Sequence, residues 1–114
     1  MMAGMAAGSP PNFVSKPSVR QDQRKIYIEC KLSSDPAPTI SWLFNNKPIA
    51  MGGRLNASTV KQGNLYLIAL EMKELTLQDK GEYKCIAKNP RGEAVATLML
   101  NLDSKFSAVL RTKV

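Results

Sequence analysis

Cys30 and Cys85 are the only thiols in a chain that has no histidine. That combination narrows the chemistry sharply. A serine or cysteine nucleophile normally needs an imidazole base beside it, so Ser–His and Cys–His catalysis are excluded. Every histidine-containing metal site is excluded too, and two cysteines cannot complete a four-ligand zinc site. Asp79 has no second carboxylate placed to share acid–base work, so it is expected to cap or pair near a corner. Gly52-Gly53 is a turn element and not a phosphate loop. No catalytic residue, cofactor or metal ligand is expected.

What the two sulfurs can do depends on the elements that carry them. Short β-rich segments recur between Pro and Gly punctuation, and no long segment holds a helical period. In 24–32, Ile26, Ile28, Cys30 and Leu32 share one parity, while Tyr27, Glu29 and Lys31 share the other. Alternate strand residues point to opposite faces, so the first set is expected in a core. Asp35-Pro36-Ala37-Pro38 turns the chain. The next segment, 39–44, puts Ile40, Trp42 and Phe44 on one face. A short strand is expected over 54–61. Tyr66, Ile68, Leu70 and Met72 form another inward set, closed by Leu75. After the corner Gln78-Asp79-Lys80-Gly81, the segment 82–88 carries Tyr83, Cys85 and Ala87 inward. Asn89-Pro90-Arg91-Gly92 suits a tight hairpin. The last strand aligns Ala94, Ala96, Leu98, Leu100 and Leu102. Upstream, 13–21 is expected as an edge strand broken by Pro17. The expectation is an all-β sandwich of two antiparallel sheets.

Cys30, Trp42 and Cys85 all fall on the inward parity of separate strands. A Cys, a Trp about a dozen residues later and a distant second Cys form the pin of an immunoglobulin sandwich. Tyr83, two residues before Cys85, stands at the tyrosine-corner position, where its hydroxyl satisfies nearby backbone. With these four residues the chain resembles the intermediate (I-set) immunoglobulin family over about 11–102. Phe13-Val14-Ser15-Lys16-Pro17, Val19-Arg20-Gln21, Glu29-Cys30, Asp35-Pro36-Ala37-Pro38, Ala87-Lys88-Asn89, Gly92-Glu93 and Leu100-Asn101-Leu102 resemble the I-set domains of giant muscle proteins of the twitchin, projectin and titin group. The resemblance implies a structural and protein-binding module in the cytoplasm, at the sarcomere or cytoskeleton. It also implies cytoskeletal partners or neighbouring immunoglobulin and fibronectin-like domains. An isolated domain is expected to be monomeric. The strands of 13–21 and 92–102 are expected to bond to each other and resist extension.

The sulfurs keep two readings. A disulfide would stabilise by roughly 4 kcal/mol in the chain-entropy account. Free buried thiols would pack as small apolar groups. Residues 1–10 read as a flexible leader without a basic n-region, so reduced thiols are the expectation. The alternative is an extracellular adhesion or receptor domain, which would use the disulfide and the sequon Asn56-Ala57-Ser58.

Sixteen Lys and Arg against nine Asp and Glu give a net charge of +7. The excess is spread out, and no aromatic-rich basic groove can be read, so nucleic acid is not expected as a partner. No apolar stretch approaches the roughly 20 residues that cross a bilayer, and no membrane partner is expected. Leu43, Ile86, Val95 and Met99 share the outward parity of neighbouring strands, flanked by Lys84 and Lys88. Two readings stay open: scattered surface apolar residues, which are common, or an exposed apolar stripe that docks a partner. Residues 103–114 are expected to be a tail or linker.

Overall fold

The computed structural model describes residues 8–102 and the backbone of 108–113. The strands are β1 (Ser9–Phe13), β2 (Ser18–Asp22), β3 (Lys25–Asp35), β4 (Thr39–Phe44), β5 (Lys47–Pro48), β6 (Leu55–Gln62), β7 (Leu65–Met72), β8 (Gly81–Asn89), β9 (Gly92–Leu102) and β10 (Ala108–Lys113). A 3-10 turn, Leu77–Asp79, joins β7 to β8. One antiparallel sheet runs β1-β3-β7-β6 with β2 also on β3, and the other runs β10-β9-β8-β4-β5. The sandwich is the one the alternating pattern predicts.

Strand parity builds the core. Ile26, Ile28 and Cys30 of β3 stand opposite Met72, Leu70 and Ile68 of β7, and all six are buried. From the second sheet, Trp42 of β4, Tyr83, Cys85 and Ala87 of β8, and Ala96, Leu98, Leu100 and Leu102 of β9 close over them. Leu75 seals one end with no exposed surface. Burying such a set is the main favourable term in folding, because each large apolar side chain is worth roughly 1.5–3 kcal/mol.

The upstream segment is broken around Pro17 as expected, since a proline has no N–H to donate, and its strands are β1 and β2. Two other expectations change. Both strands then pair with β3: Phe13 opposite Leu32, and Val19 opposite Ile28. Residues 13–21 therefore form no ladder with 92–102 among the described residues, and the expected bonding between those terminal segments is replaced by pairing on β3. The outer edge of β9 is instead taken by β10, with Ala108 opposite Leu102 and Lys113 opposite Thr97. The segment read from sequence as tail or linker thus carries a strand.

Candidate functional site

Trp42 and Cys85 are direct cross-strand partners on β4 and β8. Cys30 faces them from β3, so the sequence-predicted pin is assembled. Its residues are almost fully enclosed, with Trp42 3% exposed and Cys30 2%. Both cysteines are free thiols. The hydrogen bond with Cys30, and then burial, push the Cys85 thiol well above its ordinary range. A thiol held protonated is a poor nucleophile and a poor ligand. The indole Nε1 of Trp42 is buried with no hydrogen-bond partner among the described residues.

The corner beside the pin is polar and closely paired. Tyr83 donates its hydroxyl to the Asp79 carbonyl at 2.6 Å. Thr76 caps the 3-10 turn, accepting from the Gln78 N–H, while the Thr76 N–H donates to the Asp79 carboxylate at 2.8 Å. The Arg54 guanidinium meets the same carboxylate in a fork, at 2.9 and 3.2 Å. Gly81, with φ of +152°, starts β8 against β4, and a Cβ there would lie 2.7 Å from the Phe44 ring and the Asn45 side chain. The sequence placed Asp79 at a cap or pair; its partner Arg54 comes from the end of the poorly patterned stretch before β6, where no local signature announces it.

The outward side of β4, β8 and β9 carries the apolar residues read from sequence. Ile86 and Val95 are direct partners. Leu43 stands opposite Lys84, one diagonal step from Ile86. Met99 lies further along β9, opposite Glu82, with Thr97 between it and Val95. The structure thus joins Leu43, Ile86 and Val95 and sets Met99 apart. Val95 is 41% and Met99 47% exposed, whereas Leu43 and Ile86 are half-buried. Lys84 reaches the Asn46 side chain at 2.8 Å and Glu82 at 3.9 Å. Lys88 lies 4.0 Å from Glu93. Leu43 and Ile86 also line a surface cleft of about 590 Å³ with Pro48, Ile49 and Met51. Met51 was not singled out from sequence because its segment has no strand period.

This geometry agrees with comparison to known proteins. The model of the immunoglobulin I-set domain matches residues 11–102. The chain belongs to the immunoglobulin I-set family. This I-set domain is 32% identical over 99 residues to the muscle M-line assembly protein unc-89 of Caenorhabditis elegans, covering 85% of the chain and 1% of that protein. It is 34% identical over 89 residues to smooth muscle myosin light chain kinase of Gallus gallus, covering 76% of the chain and 4% of the kinase. Hemolin of Manduca sexta is 35% identical over 95 residues, with 81% of the chain and 21% of hemolin covered. The chain therefore spans a small part of each relative. Among solved structures, the I-band fragment I67-I69 of titin superposes with a TM-score of 0.69 at 26% identity, covering 82% of the chain and 33% of that fragment. The complex of titin M10 with an obscurin-like 1 domain gives 0.63 at 28% identity, covering 80% of the chain and 90% of the matched chain. The muscle-protein resemblance and the sandwich fold both stand.

Sequence reasoning missed one polar cluster in this I-set domain. The Asn89 amide donates to the Ser9 carbonyl and to Ser34 Oγ at 2.9 Å, and to the Pro36 carbonyl at 3.1 Å. Its Oδ1 accepts from the Arg91 and Gly92 N–H groups. One side chain thereby ties the chain's entry, the β3–β4 turn and the β8–β9 turn together. The only sequence indication is an Asn beginning a tight turn.

Proposed function

We infer that this chain is a non-catalytic structural and protein-binding module, one domain of a sarcomeric or cytoskeletal protein, working in the cytoplasm. The identity with muscle proteins supports the setting. The absence of histidine from the sequence supports a non-catalytic role. The observation that carries the binding role is the Ile86–Val95 pair with Leu43 beside it on the outward side of β4, β8 and β9. Such a patch, rimmed by Lys84, Lys88, Glu82 and Glu93, has the apolar centre and charged rim of an interface. The partner is a second immunoglobulin-like or fibronectin-like domain, a reading supported by the titin M10 and obscurin-like 1 complex.

The test is chemical-shift mapping of the chain with immunoglobulin and fibronectin-like domains of its parent protein, repeated with Ile86→Ser and Leu43→Ser. Perturbation centred on Ile86 and Val95, lost in folded variants, is expected. Binding that survives both substitutions would rule this face out.

A second, extracellular reading has its own support. Hemolin is among the relatives, and Asn56 is exposed on β6 within a sequon. A glycan on Asn56 in material from the native source would replace the cytoplasmic reading.

A further inference from the structure

We propose that residues 108–113 are a releasable latch: β10 covers the outer edge of β9 and detaches while the sandwich beneath it stays folded. Both N-terminal strands pair with β3. Among the described residues, β10 alone pairs with the outer edge of β9 from Thr97 to Leu102. β10 is itself the end of its sheet: one ladder holds it, and it also lies against β2 of the other sheet. β9, in contrast, keeps a second ladder with β8 from Gly92 to Leu100 whether or not β10 is present. Opening the latch breaks the first ladder and the contact with β2, and water takes up the uncovered backbone groups. Local openings of this kind require less free energy than global unfolding.

The latch closes in a defined register. Ala108, Leu110 and Thr112 stand opposite the buried Leu102, Leu100 and Leu98. Val109, Arg111 and Lys113 stand opposite Asn101, Met99 and Thr97. A slip of one residue would move Arg111 and Lys113 to the positions opposite buried leucines, which opposes alternative pairings. Release lets residues 108–113 extend over roughly 20 Å at about 3.3 Å per residue. It also bares a strand edge. That edge fits an extended segment with the same alternation, small or apolar residues at every second position and basic residues between, added by backbone pairing.

Hydrogen exchange on the full chain tests the latch. Successive N–H groups of β9 point alternately to β8 and to β10. Those facing β10 are expected to exchange at least about 100-fold faster than those facing β8, while still protected relative to an unfolded chain. Leu110→Pro and Arg111→Pro provide the second measurement. Of these neighbours one directs its N–H at β9, so one variant removes a ladder bond. That variant is expected to speed exchange at the β10-facing groups by at least about tenfold and to leave β3, β7 and β8 unchanged. Equal protection on both edges of β9 would overturn the latch. So would a proline variant that lowers protection in β3 and β7 by the same factor, or β10-facing groups with no protection at all.

Discussion

Tyr83 donates its hydroxyl to the backbone carbonyl of Asp79 at 2.6 Å, and both residues are buried. The bond fixes the corner that delivers Cys85 to the core. Removing the hydroxyl with Tyr83→Phe leaves the Asp79 carbonyl without that donor, and a destabilisation of about 1–2 kcal/mol is expected. Urea unfolding at pH 7 measures it.

The same bond makes a pH prediction. Burial first, and the neighbouring Asp79 carboxylate second, raise the Tyr83 phenol above its ordinary value. An unfolded tyrosine loses its proton near pH 10. The folded residue keeps it, so in alkali the unfolded state binds fewer protons and stability falls as pH rises. Comparing urea midpoints at pH 7 with those just above pH 10, Tyr83→Phe should lose less stability than the parent chain. An equal loss would mean that this tyrosine contributes nothing to the alkaline transition.

The Asp79 carboxylate serves two donors at once, the Arg54 fork and the Thr76 N–H. Arg54 is 36% exposed, so its charge finds water when the pair is broken. The cost of Asp79→Ala then comes chiefly from the uncapped turn and the lost charged hydrogen bonds, about 2 kcal/mol. Arg54→Ala leaves the carboxylate on Thr76 and is expected to cost less. The order of the two urea midpoints checks this; the reverse order would show that the ion pair outweighs the cap.

Both thiols are buried, and Cys85 is held protonated by its hydrogen bond with Cys30 and by burial. Native protein isolated under reducing conditions is expected to resist iodoacetamide at pH 8 and to take up an alkyl group on each of Cys30 and Cys85 in guanidinium. Rapid native labelling would contradict this burial. In protein from the native source, absence of labelling in guanidinium without reductant would reveal a disulfide and favour the extracellular reading.

The parts of the fold that were legible share one property, alternation over a buried face. Ile26 to Leu32 and Tyr66 to Met72 give away their strands because one side of each is entirely core. The pin was legible for the same reason, since Cys30, Trp42 and Cys85 sit at the inward parity of three such strands. Pairing partners were less legible. Val19 and its neighbours could lie on either sheet, and only the register with Ile28 decides it. The Arg54–Asp79 fork joins residues 25 positions apart across two loops, and no local period connects them. Leu43, Ile86 and Val95 were legible as outward residues, but the separation of Met99 follows from pairing register, which composition does not encode.

Asn89 is the hub at the other end of the sandwich, bonded to Ser9, Ser34 and Pro36 through one amide. Asn89→Ala removes those bonds and the acceptor for Gly92 N–H. The half-buried site lets water replace part of them, so a loss of about 1 kcal/mol is expected. The more specific outcome is local: the Ser9 and Asn12 amides of β1 should exchange faster while those of β7 stay unchanged. Uniform acceleration would show that Asn89 supports the whole fold and not the entry alone.

Trp42 offers a test of what its indole contributes. The ring is 3% exposed and packs inside the sandwich, but its Nε1 donates to nothing among the described residues. A buried donor without an acceptor costs about 1–3 kcal/mol. Trp42→Phe removes that donor and keeps a ring, so the remaining loss is the space the smaller side chain leaves behind. The two effects oppose each other, and a net destabilisation below about 2 kcal/mol is expected. Trp42→Ala removes the ring as well and should cost about 3–5 kcal/mol. Urea midpoints of the two variants decide the matter. If phenylalanine proved as damaging as alanine, the indole N–H would have to be engaged in solution, and ring volume alone could not account for the role of Trp42.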